Sequence, residues 1–391
     1  MQHLLIVNIG PVQEFIASAR RSRDLWFGSW LLSELSKAAA KAIVGEEKNL
    51  ESLIFPAPNE SKDLEPDSSF DVANKIVAII QAEPKMLATK VLNAVNARLN
   101  EIKEGAFEEI KGRFNRDVAN KQIDDMLELF WVAKLIDKDY SQVRKEAEVL
   151  MAARKTTRNY TNVSWGSDEF KSSLDGQRES VIPKEIYKAD PEKLWRKYRI
   201  SEGERLCGVG LLKRLGKGKK GMNFYSTSHV ASLPFIKLVT EKAEGVVNEY
   251  AKKLLDLGAN PTDFGYSSSS AKIAFDGHIL YEERLSDYFK KDEKDEKNGK
   301  TKLETAKEAL KEFYEKLNKL NLKKRPSPYY GLLHADGDRM GEAIDCQKTA
   351  QAHQEISKAL TKFAGSVRKI VEQDYNGCLV YAGGDDVLAF L

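Results

Sequence analysis

The two ends of this chain of 391 residues run through the same order of elements, and that repetition limits the fold more than any other feature. Near the start, residues 4–9 (LLIVNI) form a short apolar strand. Gly10-Pro11 is then expected to open a long helix, with proline at a first-turn position. Val12, Phe15, Ile16 and Ala19 keep helical spacing, and Leu31, Leu32, Leu35 and Ala39 continue it. Residues 53–55 and 75–80 are rich in Ile and Val and read as two strands. Residues 86–113 read as a helix, with Leu87, Val91, Leu92, Val95 and Leu99 on one face. Residues 127–136 (LELFWVAKLI) supply a last strand. The order β-α-β-β-α-β is a split-βαβ, ferredoxin-like plan.

The far end repeats it. After Pro326 and Pro328, residues 329–335 predict a strand that runs into Asp336-Gly337-Asp338. A short helix follows, then a long one over 348–373, whose apolar positions Ile356, Leu360, Phe363, Val367 and Ile370 step by three and four. Residues 378–382 and 387–391 are two strands around Gly383-Gly384-Asp385-Asp386, a hairpin signature. The plan needs one more helix and strand, so the second copy reads as incomplete. Between the copies, residues 137–222 hold a helix over 140–153 and Ser-, Thr- and Lys-rich loops. Residues 223–325 read as mostly helical, with amphipathic stretches at 236–257 and 301–320. The charged run 290–302 reads as a surface loop. The expected fold class is α+β: two ferredoxin-like domains, at 1–136 and 326–391, joined through an irregular insertion (137–222) and a helical region (223–325).

Composition narrows the function classes. Apolar residues make up 42% and charged residues 31%, with a net charge of +3. That balance excludes a histone-like polycation, so nucleic-acid contact must come from local patches. No run approaches the ~18 apolar residues of a membrane span, and the start lacks the basic segment of a signal peptide. Cys207, Cys346 and Cys378 are dispersed and form no CxxC, which argues against a disulfide framework or a self-contained zinc site. A soluble cytoplasmic protein, with no membrane partner, is expected.

The chemistry concentrates in Asp336, Asp338, Asp385 and Asp386. Two acidic clusters stand at strand ends, and the helix between them lets the strands lie side by side, so the clusters can converge on one point. Carboxylates gathered at buried strand ends are costly unless they bind cations. Hard oxygen ligands select Mg²⁺ or Mn²⁺, and two such ions can activate a 3′-hydroxyl and clamp a triphosphate during in-line phosphoryl transfer. Gly383 and Gly384 would supply positive φ at the turn and let a nucleotide approach the backbone; Gly337 stands at the equivalent point of the first cluster. The plainer alternative is an Asp- and Gly-rich hairpin beside a solvated turn, but the DGD motif on a preceding strand argues against it.

These residues carry a resemblance. YYGLLHADGDRMGEAI with LVYAGGDDVLAFL resembles the cyclase-type palm domain of the large subunit of type III CRISPR RNA-targeting complexes. IGPVQEFIASARRSRDLWFGSWLLS is similar to the first palm of that subunit in its Cmr form. SEGERLCGVGLLKR and FYSTSHVASLPF resemble two further family segments, in family order. The resemblance implies two facing palms that each hold ATP, and synthesis of cyclic oligoadenylates when target RNA binds. It further implies Asp336, Asp385 and Asp386 as metal ligands, with Asp338 matching the second acid of the strand-end motif as a fourth, and partnership with the other complex subunits, CRISPR RNA and target RNA. The first palm's strand ends Asn8-Ile9-Gly10 without a carboxylate, which suits a palm that binds nucleotide without activating it. Backbone N–H groups from Gly10 to Gln13 would face phosphate, although GPVQ is equally a plain helix start. A non-catalytic scaffold subunit, or a stand-alone nucleotide cyclase, are the alternatives.

The chain departs from the family pattern in three ways. No His-Asp pair of an HD nuclease occurs. Cys207-Gly208-Val209-Gly210 keeps one cysteine where paired zinc ligands are usual, so no zinc is expected. The family continues past GGDD. The expectation is therefore that the chain alone is poorly active and that a further segment or chain completes the second palm. Other features carry plainer readings beside functional ones. The GKGKKG run (216–221) fails P-loop spacing. Arg20, Arg21 and Arg23 beside Trp26 and Trp30 suit an amphipathic helix as well as RNA. Ser226, Thr227 and Ser228 suit a helix cap as well as a nucleotide. His334 reads as a packed strand residue.

Overall fold

The computed structural model describes residues 1–157, 166–189, 193–201, 203–218, 226–259, 277–289 and 299–391. The chain forms two compact units. Unit 1 gathers Met1–Lys220, His334–Ile370 and Val380–Leu388, and unit 2 gathers Gly221–Leu333, Val371–Leu379 and Ala389–Leu391. The segment 1–136 and nearly all of 137–222 thus share one unit. Parts of 216–221, 224–235 and 290–302, singled out above, lie outside the described residues.

Unit 1 opens with β1 (His3–Gly10), the short α1 (Gln13–Ala17) and α2 (Ser22–Glu47), followed by β2 (Leu53–Phe55) and β3 (Lys75–Ile80). Then come α3 (Pro84–Glu108), α4 (Arg116–Met126) and β4 (Glu128–Leu135). The sheet order is β2-β3-β1-β4 with antiparallel pairing throughout, the ferredoxin-like arrangement. Being central, β1 is buried on both faces. Leu4 and Ile6 join Ile54, Val77 and Phe130 under α5 (Tyr140–Lys155), which contributes Val143, Ala147 and Met151. Leu5, Val7 and Ile9 alternate to the opposite face and are fully buried. On α3 the expected stripe of Leu87, Val91, Val95 and Leu99 is buried, while Leu92 is exposed. Helix α4 was not anticipated.

The long helix expected from Gly10-Pro11 does not form. It is split into α1 and α2, and the cause is remote in sequence. The insertion carries α6 (Lys184–Ala189), α7 (Lys193–Tyr198) and α8 (Gly208–Leu215). From α8, the buried Lys213 ammonium donates to the Phe15 and Ser18 carbonyls at the end of α1, the latter at 2.7 Å, and lies over the Phe15 ring. Carbonyls satisfied in this way need no further helical turn. Beside it, Arg214 is 1% exposed and binds Asp24 and Glu204. The arginines near the break are structural as well. Arg21 bonds Glu204 and Ser201, and Arg23 donates to the carbonyls of Arg214 and Gly216. Trp26 and Trp30 are buried and stacked. Cys207 is buried and caps α8, its sulfur accepting from the Gly210 N–H at 3.4 Å.

Unit 2 packs α9 (Thr227–Lys242), α10 (Glu244–Asp256) and α11 (Lys302–Lys319) around Phe235, Val239, Tyr250, Leu254, Phe313 and Leu317. The stretch read as one helix over 236–257 is interrupted at Ala243, whose backbone leaves the helical region at φ −147°. Thr301 and Glu304 form a capping box at the start of α11. Among the described residues no helix is long and apolar enough to cross a membrane.

The second copy of the plan consists of β5 (Leu332–Ala335), α12 (Met340–Asp345), α13 (Ala350–Arg368), β6 (Cys378–Gly383) and β7 (Asp386–Phe390), with sheet order β5-β7-β6. The order matches β1-β3-β2 of the first sheet. Two expectations change here. The helix over 348–373 passes into a π-helical turn, Lys369–Asp374, and the buried residues of α13 are His353, Gln354 and Ser357, not the apolar stripe. Phe363 and Ile370 are exposed, because the buried side of α13 faces β2 through polar contacts: Gln354 Nε2 donates to the Leu53 carbonyl at 2.8 Å.

Candidate active site

The site is built from the end of β5, the turn after it and the β6–β7 hairpin. Strand β5 is shorter than expected and exposed at all four residues, as befits an edge strand. Burial on both faces, the premise for costly carboxylates there, is therefore absent. Val387, Ala389 and Phe390 are buried while Leu388 is half-buried and Leu391 exposed, so β7 covers side chains on both faces only towards its end.

Register brings the acids together. Gly331 and Leu391 exchange both backbone hydrogen bonds, at 2.7 and 2.9 Å. Five residues further along each antiparallel strand, the same register sets Asp336 opposite Asp386. Asp386 takes up a proton more readily than an ordinary aspartate, and once protonated it can share that proton with Asp336. Burial contributes most to that rise, followed by the bond to Asp336 and its charge, then the charge of Asp385, with His334 opposing. Next along, Gly337 faces Asp385. A Cβ on Gly337 would sit 2.7 Å from the Asp385 Cβ and 2.8 Å from its Oδ2, so only glycine lets the turn close against the hairpin.

The hairpin turn has two central residues, Gly384 and Asp385. Gly384 has φ +66°, and Gly383 does not have positive φ. One left-handed residue at the first central position suffices for a turn that matches the strand twist. Asp338 is exposed in the turn leading to α12.

The other candidates lie elsewhere. Gly10 ends β1 opposite Glu128, and Gln13 opens α1, which has five residues and no side-chain cap. So short a helix presents a weaker phosphate seat than the long one expected. Ser226 accepts from the His229 N–H at 3.0 Å and caps α9 in unit 2, and Thr227 is that helix's first residue. One site neighbour escaped sequence reasoning, and another was read there as packed. Tyr381 is half-buried, and its phenol is pushed up by burial and then by Asp386 and Asp336. His334 is exposed rather than packed, and it opposes the rise of the Asp386 pKa. The signal for His334 was strand alternation, which places it on the face of Asp336.

Among the described residues no group of three or more His, Cys, Asp or Glu side chains is gathered as a metal cage. The acid pair nevertheless has the donor chemistry for Mg²⁺ or Mn²⁺. Such ions are commonly held by one or two carboxylates and complete their shell with water and substrate phosphate. Two carboxyl groups set opposite each other, with a third acid at the adjacent turn, are a donor set that a divalent cation would relieve.

We expect Gly337→Ala to push Asp385 away and part the acid pair. Divalent-ion affinity, measured by calorimetry, should fall roughly tenfold, with a stability cost of about 1–3 kcal/mol from the overpacked turn.

Comparison with known proteins agrees with both sheets. Residues 329–391 match the family model described as Cas10/Cmr2, second palm domain, and residues 4–108 match CRISPR-associated protein Cmr2, N-terminal. The Cmr subunit Cmr2 of Pyrococcus furiosus is 24% identical over 497 aligned residues, covering 99% of this chain and 53% of the relative. The chain spans about half the length of the curated relative it matches. Two cryo-EM structures of the type III-B Cmr-beta complex share the fold. The apo state has TM-score 0.62 at 14% identity, and the form bound to cognate target RNA has 0.63 at 15%. Each match covers all of this chain and 60% of the other.

Proposed function

Taking as premise that this chain is of the Cmr2 type, a large subunit of type III CRISPR complexes, we propose that it polymerises ATP into cyclic oligoadenylates at the Asp336–Asp386 pair. The observation that carries this reading is the register-enforced contact of those two carboxylates, with Gly337 closed onto Asp385. In the reaction, the 3′-oxygen of one ATP attacks the α-phosphorus of another. The bond from that phosphorus to the pyrophosphate oxygen breaks, and pyrophosphate leaves. Attack of the last 3′-oxygen on the first α-phosphorus closes the ring with loss of another pyrophosphate.

The chain's own groups would do the following. Asp336 and Asp386 face the reacting centre, and Asp385 adds negative charge at the turn, with Asp338 nearby as a weaker candidate. The Gly383-Gly384 backbone has no side chain to obstruct a triphosphate. A divalent cation held by the carboxylates would supply Lewis-acid stabilisation of the phosphoryl oxygens. The partners proposed are the other subunits of the complex, CRISPR RNA and target RNA.

The test is to incubate the assembled complex containing this chain with ATP and Mg²⁺ or Mn²⁺, with and without target RNA. Chromatography should detect 3′–5′-linked cyclic oligoadenylate and pyrophosphate when RNA is present. RNA binding without product would overturn the enzymatic reading and leave a scaffold subunit.

A further inference from the structure

The helices that follow the DGD motif are held by remarkably little apolar surface for their place next to a reaction centre: α12 has six residues and none of them is buried, and the buried residues of α13 are all polar. What holds them is a polar seat on the first domain. On α5, Tyr140 and Arg144 lie one turn apart and face the same way. The Tyr140 hydroxyl meets His353 Nδ1 at 2.7 Å, both groups being buried. The His353 ring lies nearly parallel to Phe55, at 21° and 6.5 Å. Burial, then the charges of Arg144 and Lys75, lower the His353 pKa to about 4. The imidazole is therefore neutral at pH 7 and can accept from the tyrosine. Arg144, whose side chain is 4% exposed, bonds Asp345 at the end of α12 at 2.8 Å.

The chain linking this seat to the acids is short and constrained. Arg339, which caps α12, adopts φ +59°, a left-handed conformation that costs a non-glycine residue energy and persists when its surroundings enforce it. Only Gly337 and Asp338 separate Arg339 from Asp336, and Gly337 lies so close to Asp385 that even a Cβ there would clash. A displacement of α12 would therefore pass into the turn and move Asp336 relative to Asp386.

We propose that Tyr140 and Arg144 are positioning residues for the acid pair: by holding His353 and Asp345 they set where the turn from Asp336 to Arg339 meets the hairpin. The inference rests on the reading of Asp336 and Asp386 as the cation and nucleotide site. The first sheet then serves the second as a fixed support, through directional bonds that specify one placement where an apolar contact would tolerate several.

The test uses the full chain with Asp345→Asn, Tyr140→Phe, and the exchanged pair Arg144→Asp with Asp345→Arg. Asp345→Asn and Tyr140→Phe are mild, since the Asp345 side chain is 77% exposed and phenylalanine keeps the ring. Amide hydrogen exchange over 337–345 should accelerate roughly tenfold in either single variant. Mn²⁺ affinity by calorimetry should fall by about the same factor, because a sub-ångström displacement suffices to spoil a preorganised site. The exchanged pair should recover toward wild type more than Arg144→Asp alone. Exchange and affinity within about twofold of wild type in both mild variants would overturn the proposal. If wild type binds no Mn²⁺, the functional reading fails, and the exchange rates still decide whether α5 positions the turn.

Discussion

Asp386→Ala, alone or with Asp385→Ala, is expected to reduce oligoadenylate formation by roughly a thousandfold or more, while RNA binding by the assembled complex is kept. Losing one preorganised electrostatic group commonly costs about 10²–10³ in rate, and here the group is also a proposed cation ligand. Stability should move the other way. Asp386 has a raised pKa in the folded chain, caused first by burial and then by Asp336 and Asp385. A group of that kind favours folding below the ordinary aspartate pKa and loses that favour as pH rises through its folded value. At neutral pH the charged carboxylate therefore weighs against the fold, and alanine removes the repulsion. The melting temperature should be unchanged or higher, a sign expected of residues kept for function. A lower melting temperature accompanying the loss of product would instead mark Asp386 as structural.

The second large effect is on folding. Arg214→Ala is expected to destabilise unit 1 by about 3–5 kcal/mol, the cost of leaving buried partners of opposite charge uncompensated. That is a large share of the ~5–15 kcal/mol by which domains are stable. The guanidinium bonds both oxygens of Asp24 at 2.8 Å and those of Glu204 at 2.8 and 3.0 Å, and it donates to the Arg199 carbonyl at 2.9 Å. Asp24 is fully buried and Glu204 is 2% exposed. Arg214→Lys should restore little, because an ammonium cannot match a forked, bidentate donor. Urea denaturation with a far-UV signal reads the loss. The pH profile adds a second signature. Burial would raise the Glu204 pKa, but bonding to and the charge of Arg214, with Arg21, pull it down to about 2. A depressed carboxylate stabilises the fold above its ordinary pKa, and that contribution is lost as pH falls from about 4.5 toward 2. Wild type should show this acid limb, and Arg214→Ala should show a smaller one, since Arg21 and the Ser201 N–H still bond Glu204.

The acid pair shows how far a linear reading carries. That DGD and GGDD end neighbouring strands could be read from two apolar runs and the helix between them. That Asp336 meets Asp386, while Asp385 meets Gly337, follows from a register that no local pattern specifies. His334 shows the same limit. Its strand was legible, but its exposure depends on β5 being an edge strand, which sheet order alone decides.

Local periodicity was enough for the order β-α-β-β-α-β in the first domain, for 75–80 as β3, for the helix that became α3 and for the GGDD hairpin. Each of these is dictated by side-chain alternation, helical spacing or turn chemistry within a few residues. The tertiary structure alone decided that α1 stops before α2, that α13 buries His353 and Gln354 instead of its apolar stripe, and that Arg21 and Arg23 serve the fold. In each case the deciding partner is remote in sequence: Lys213 for the carbonyls of α1, Tyr140 and Leu53 for α13, Glu204 and the carbonyls of Arg214 and Gly216 for the arginines. A buried polar group must find a partner wherever the packed chain offers one, and that choice is made by proximity in three dimensions.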